Sequence, residues 1–223
     1  MRASTLMLLA TISAASAQAE EAMSMRRHMD DDPLTLFVMA DRLELQNVKQ
    51  GTLLSWDAKV RIGRDFNKLL LRTEGESVDG HHQEADVEAL WEKPVSRWWE
   101  MRIGARHDFG DSQSQSWFAL GLAGLMPWRI HLQATGYVGE GGRTALRLES
   151  DYDLLVTNRV ILQPRVEFNA YGNDNRGTAV ELGLRVRYEI RREIAPYLGA
   201  VWVDRTDAGT DELRLLAGLR LWY

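Results

Sequence analysis

Glu212-Leu213-Arg214-Leu215-Leu216-Ala217-Gly218-Leu219-Arg220-Leu221-Trp222-Tyr223 is the stretch whose reading decides the fold. On an extended chain, successive side chains point to opposite faces. Leu213, Leu215, Ala217, Leu219, Leu221 and Tyr223 then share one face, and Glu212, Arg214, Gly218 and Arg220 share the other. A soluble sheet also alternates, but here the pattern runs to a terminal aromatic. That is the signature of a strand with one face against lipid and the other lining a polar lumen.

Working outward, about twelve segments repeat the pattern: 34–45, 52–62, 68–78, 84–92, 98–109, 116–125, 129–138, 144–155, 159–171, 178–190, 195–203 and 212–223. Their lengths suit tilted membrane strands. Two kinds of connection alternate between them. One set is tight: residues 63–67, 93–97, 126–128, 156–158 and 191–193. The other is rich in Gly, Asp, Asn and His: residues 79–83, 110–115, 139–142, 172–177 and 204–211. The expected fold is all-β, a transmembrane antiparallel up-and-down β-barrel of about twelve strands. An even strand number puts both ends of the barrel domain in the periplasm, with the tight turns periplasmic and the polar loops extracellular.

Composition is compatible with this. A mean hydropathy of −0.31 looks soluble, but a barrel needs an apolar residue only at every second position. No apolar run of about 18 residues follows the N-terminal stretch, so no segment reads as a membrane-spanning helix. The formal net charge of −5, with no basic patch, excludes a nucleic-acid surface. The absence of cysteine excludes disulfides, thiolate metal sites and cysteine nucleophiles. Residues 1–19 read as a signal peptide: Arg2, an apolar stretch over 6–12, then Ala15-Ser16-Ala17 and Ala17-Gln18-Ala19 as cleavage sites. Residues 20–33 form a short flexible periplasmic arm without apolar periodicity, and 34–223 are the barrel.

The inward faces carry both signs of charge. They include Arg72, Glu74, Glu76, Glu88, Arg106, Asp108, Arg147, Glu149, Arg165 and Glu167, with Glu181, Arg185, Arg187 and Glu189 further on. Opposite charges on adjacent strands reach one another, so these residues serve as structural ion pairs or as a polar path for a small solute. The barrel is narrow enough for such side chains largely to fill it. Trp91, Trp98, Trp99, Trp117, Trp128, Trp202, Trp222 and Tyr223 cluster near segment ends, as interfacial girdles do. A soluble sandwich with charged solvent faces is the competing architecture.

Chemistry-bearing residues are few. Met23, Met25, His28 and Met29 lie together on the arm, beside Asp30, Asp31 and Asp32. Thioethers select Cu(I) and imidazole suits either copper oxidation state, although a solvated acidic tail with incidental methionines has the same composition. His81 and His82 lie near Asp79 and Glu84 as a candidate surface site. A hydrolase needs a Ser or Asp beside a His base. Ser150 faces lipid and His107 has no evident serine partner, so no triad is expected.

Longer strings add to this. Gly142-Arg143-Thr144-Ala145-Leu146-Arg147-Leu148-Glu149, Tyr152-Asp153-Leu154-Leu155, Leu162-Gln163-Pro164-Arg165-Val166-Glu167 and Tyr171-Gly172 resemble the copper resistance protein B family of the bacterial outer membrane. So do Thr73-Glu74-Gly75-Glu76, Arg106-His107-Asp108-Phe109, Tyr137-Val138-Gly139, Glu181-Leu182-Gly183-Leu184-Arg185 and Arg191-Arg192-Glu193-Ile194-Ala195-Pro196-Tyr197. The resemblance covers about residues 50–223. It implies an outer-membrane barrel, not an enzyme, that works in copper tolerance by binding copper ions and sequestering them or aiding their export from the periplasm. The implied partners are outer-membrane lipid, copper ions and a periplasmic copper-binding or copper-oxidising protein. The family often has a long Met/His/Asp-rich N-terminal extension, whereas here only Met23, Met25, His28 and Met29 remain. The expected route starts with capture by the arm and passes weak oxygen sites at Glu74, Glu76, Glu88 and Glu149, with Arg72, Arg106 and Arg165 limiting occupancy. The alternative is a structural barrel or narrow porin without specific metal binding.

Overall fold

The alternating segments all fold as strands in the computed structural model, which describes residues 32–49, 51–79, 81–110, 114–172, 177–206 and 210–223. They are β1 (Thr35–Val48), β2 (Gly51–Arg64), β3 (Asn67–Val78), β4 (His81–Pro94), β5 (Trp99–Gly110), β6 (Gln115–Leu125), β7 (His131–Gly139), β8 (Thr144–Asp151), the two-residue β9 (Leu154–Leu155), β10 (Val160–Gly172), β11 (Thr178–Tyr188), β12 (Ile194–Arg205) and β13 (Thr210–Trp222). The expected leader, 1–19, and arm residues 20–31 lie outside the described residues.

Each strand pairs antiparallel with its neighbours, and β13 returns to pair with β1, for example at Leu45–Ala217 and Met39–Trp222. Closure removes every free sheet edge, which is the condition for placing strands in hydrocarbon. β8 and β9 form one stave along β10, so the wall has twelve staves. The expected strand over 144–155 is interrupted at Tyr152 and Asp153. The cause is Pro164, which lies opposite and has no N–H to donate to the ladder.

The two faces separate as alternation demands. Leu213 and Leu215 are 68% and 66% exposed, and Phe118, Leu120, Leu122, Leu182, Leu184 and Val186 also face outward. Arg72, Glu74, Arg185 and Arg187, one position out of phase, are buried. The lumen is not uniformly polar. Leu70, Leu90, Trp117, Ala119 and Tyr137 form one buried apolar cluster, and Tyr197, Val201, Val203 and Leu216 form another.

Two positions depart from the expected pattern. Trp117 is not a girdle residue: it is 3% exposed and donates from Nε1 to Asp108 at 2.9 Å. Its place follows from parity, since it shares the inward face of β6 with Gln115, Ala119 and Ala123. Trp128, Trp98, Trp91 and Tyr223 are indeed exposed at the barrel end. The second departure is a β-bulge in β1, where the register with β2 jumps between Ala40 and Arg42. The extra residue lets Asp41 and Arg42, adjacent in sequence, both make lumen contacts.

At the hairpin between β1 and β2, Gly51 has φ +138°, and a Cβ there would lie 2.3 Å from Asp79 Oδ2. Asp79 instead accepts a hydrogen bond from the Thr52 amide at 3.2 Å, which ties this hairpin to the next.

Candidate functional site: the ion-paired lumen

The centre of the lumen is a charge lattice. Arg42, Arg72, Arg147 and Arg165 interleave with Asp57, Glu74, Glu149 and Glu167. Glu149 pairs with three guanidiniums: it accepts hydrogen bonds from Arg72 at 2.9 Å and Arg165 at 3.0 Å and lies 2.7 Å from Arg147. Arg147 also reaches Glu167 at 2.9 Å and contacts Glu74, which in turn contacts Arg72. Arg42, delivered by the bulge, lies 3.6 Å from Asp57 and 3.8 Å from Glu167.

Several of these pairs cross the barrel. β3 and β8 stand five places apart in the ring of staves, yet Arg72 on β3 meets Glu149 on β8, and Arg147 on β8 meets Glu74 on β3. Arg42 on β1 meets Glu167 on β10 from four places away. Such contacts span the lumen from wall to wall. The residues are almost solvent-free, Arg147 being 6% and Glu149 4% exposed. Buried charges of this kind persist only because they are mutually paired.

Further groups extend the lattice. Glu92, 0% exposed, holds Arg61 at 2.6 Å and Arg102 at 2.8 Å, and Arg102 also donates to Gln133. Arg106 lies between Asp86 at 3.0 Å and Asp108 at 2.5 Å, 5.2 Å over the ring of Tyr137. Tyr137 donates to Glu88 at 2.6 Å. Glu44 accepts from Arg185 at 2.7 Å and from Tyr197 at 3.0 Å. Arg187 meets Asp153 at 2.8 Å, and Asp41 meets Arg220 at 3.0 Å.

The ten lumen residues named from sequence therefore lie on the inward face, but they are not equivalent. Arg72, Glu74, Arg147, Glu149, Arg165 and Glu167 form the centre, and Arg106, Asp108 and Glu88 belong to the neighbouring group. Glu76 stands apart, 3.5 Å from Arg205 and more exposed. Glu92 and Arg102 fall on the inward faces expected from strand parity, whereas Asp41, Arg42, Glu44 and Asp57 are lumen residues beyond those expected. Only the bulge brings in Asp41 and Arg42 together.

Met23, Met25, His28 and Met29, the copper ligands expected on the arm, lie outside the described residues, as do the side chains of His81 and His82. His107 does have serine partners, contrary to expectation. It is hydrogen-bonded to Ser116 Oγ at 2.9 Å through Nδ1 and to Ser114 Oγ at 2.8 Å through Nε2. The β5–β6 register sets Ser116 directly opposite His107. Serines occupy both ring nitrogens, which leaves neither for the carboxylate that orients a catalytic base.

Residues 34–223 match the family model described as copper resistance protein B precursor. The chain belongs to the copper resistance protein B family. It is 42% identical over 210 residues to a copper resistance protein B homolog of Pseudomonas syringae pv. tomato, covering 86% of this chain and 71% of that protein. It is 38% identical to the copper resistance protein B of Escherichia coli, with the same coverage. Among solved structures it resembles a NanC porin, with a TM-score of 0.57 and 13% identity over 84% of this chain and 99% of the porin. It also resembles a KdgM porin, with a TM-score of 0.52 and 13% identity over 83% and 98%. At that identity the porins establish the fold alone. Together with the family, they place the chain in the outer membrane as a closed barrel.

Against this family background, three of the four carboxylates expected along a copper route are committed elsewhere. Glu74 and Glu149 are held by guanidiniums and Glu88 by a phenol. Guanidinium does not deprotonate in proteins, so an ion entering here must break charge-assisted bonds. Among the described residues, no group of three or more His, Cys, Asp or Glu is arranged to hold a metal.

Proposed function

We propose that this family member acts in copper tolerance by binding copper ions at the periplasmic side of the outer membrane and retaining them there, rather than conducting them through its lumen. The observation that carries the reading is the set of ion pairs spanning the barrel, Arg72–Glu149 and Arg42–Glu167. A lumen bridged by salt links from opposite walls supports sequestration and opposes a channel. The role is non-enzymatic, in keeping with a lumen whose titratable groups hold one another. The copper ligands are Met23, Met25, His28 and Met29 of the arm, whose thioethers and imidazole have the softness Cu(I) prefers. Export from the periplasm passes through a periplasmic copper-binding or copper-oxidising partner.

Cu(I) titration of the folded barrel, with and without residues 20–32, tests the ligands. Loss of tight binding on truncation is the expected result, and equal affinity of the two forms removes the arm from the function. Ion flux in liposomes, set against copper retention by the same vesicles, separates this reading from a narrow porin. Wild-type flux at porin levels would favour the porin.

A further inference from the structure

The turns at the barrel end where β1 starts and β13 finishes share a composition not explained by copper. Each of the five, residues 64–67, 95–98, 126–130, 156–159 and 189–193, carries arginine: Arg64, Arg97, Arg129, Arg159, and the pair Arg191 and Arg192. All six are exposed. Three of these turns contain no acidic residue.

Each arginine has large, exposed apolar neighbours in its own turn. Phe66 is 67% exposed, Trp98 58%, Trp128 84%, Val156 60% and Ile190 58%. The opposite end is different. Residues 49–50, 79–80, 111–114, 140–143, 173–177 and 206–209 contain no large apolar residue and more acidic than basic residues.

We infer that these turns form an anchoring ring for anionic phospholipid headgroups of the periplasmic leaflet. Guanidinium is the side chain best matched to phosphate, binding it in bidentate fashion. Aromatic and aliphatic tips beside it suit the zone where headgroups meet acyl chains. The distribution favours lipid over a protein partner. A docked protein covers one sector of the rim, whereas a leaflet meets all five turns, and all five carry the pair. The reading does not depend on copper binding.

Brominated phosphatidylglycerol, titrated into the full-length barrel in neutral detergent micelles, should quench its tryptophan fluorescence at lower concentration than brominated phosphatidylcholine. Added salt should narrow the difference. Each arginine near an anionic surface is worth about fivefold in association. The variant R97Q/R129Q/R159Q/R191Q/R192Q should therefore lose at least about tenfold of the phosphatidylglycerol preference, while R143Q at the other end should leave it unchanged. Heat-modifiable gel mobility reports that each variant still closes as a barrel. R97Q/R129Q, carrying fewer changes, provides a graded loss if the quintuple variant folds poorly. Equal quenching by the two lipids overturns the inference, as does a preference that survives the substitutions. Loss of copper tolerance in cells with lipid preference intact would assign the ring to a protein partner and likewise overturn it.

Discussion

Replacing Arg147 by methionine should be among the most damaging single changes in the barrel. The central lattice balances Arg42, Arg72, Arg147 and Arg165 against Asp57, Glu74, Glu149 and Glu167. Arg147 touches three of those carboxylates, Glu74, Glu149 and Glu167, as Arg72 touches Asp57, Glu74 and Glu149. Methionine fills much of the volume but leaves one buried negative charge uncompensated. Breaking a buried pair in this way costs about 3–5 kcal/mol, because the orphaned partner cannot return to water. Urea unfolding in lipid vesicles, followed by tryptophan fluorescence and gel mobility, measures the loss. R147M/E74Q restores the balance, so the double variant should recover roughly half or more, with a coupling of about 2 kcal/mol. A loss for R147M below about 1 kcal/mol, the range of exposed pairs, would refute the view of the lattice as dry and mutually dependent. Strict additivity in the double variant would refute it too.

Opening the lattice should also change permeability: R72A/R147A removes two guanidiniums that bridge β3 and β8, so planar-bilayer conductance should rise above a near-silent wild type. Deleting Asp41 should leave closure intact, seen as retained heat-modifiable mobility, because Ala40 and Arg42 already pair with the consecutive Ala58 and Asp57 and the flanking halves of β1 stay in phase, while the Asp41–Arg220 ion pair is lost. Y137F should cost about 1.5–3 kcal/mol in the urea assay, the value of a hydrogen bond to a charged group, since it leaves Glu88 without its 2.6 Å donor. In vesicles of brominated lipid, W128F should lower the quenchable fluorescence while W117F should not, because Trp128 is 84% and Trp117 3% exposed.

Much of the wall was legible because strand alternation is local. Leu213, Leu215 and Arg214 announce their faces without any knowledge of neighbours, and the polar loops mark where strands end. Local signals misled where a pairing partner decided the outcome. Pro164 breaks the ladder of a different strand, at Tyr152. Trp117 sits close to the start of its strand and so passed for a girdle residue, although its parity with Ala119 and Ala123 pointed inward. His107 gained Ser116 only through hairpin register. Asp41 and Arg42 defeat any strict two-residue period, since a bulge is visible only as an unmatched residue in a ladder.

By itself, the sequence determined that this is a closed strand wall with an apolar outside, a charged inside, and the strings of a copper-tolerance family. These are properties of side-chain order along one chain, and period and composition suffice to carry them. Only the tertiary structure decided that Arg72 meets Glu149 and Arg42 meets Glu167 across the barrel. Those partners lie far apart in sequence and several staves apart in the wall, so closure and stagger of the whole sheet bring them together. That is why a lining with the composition of a polar path is, in three dimensions, a lattice of ion pairs that spans the lumen.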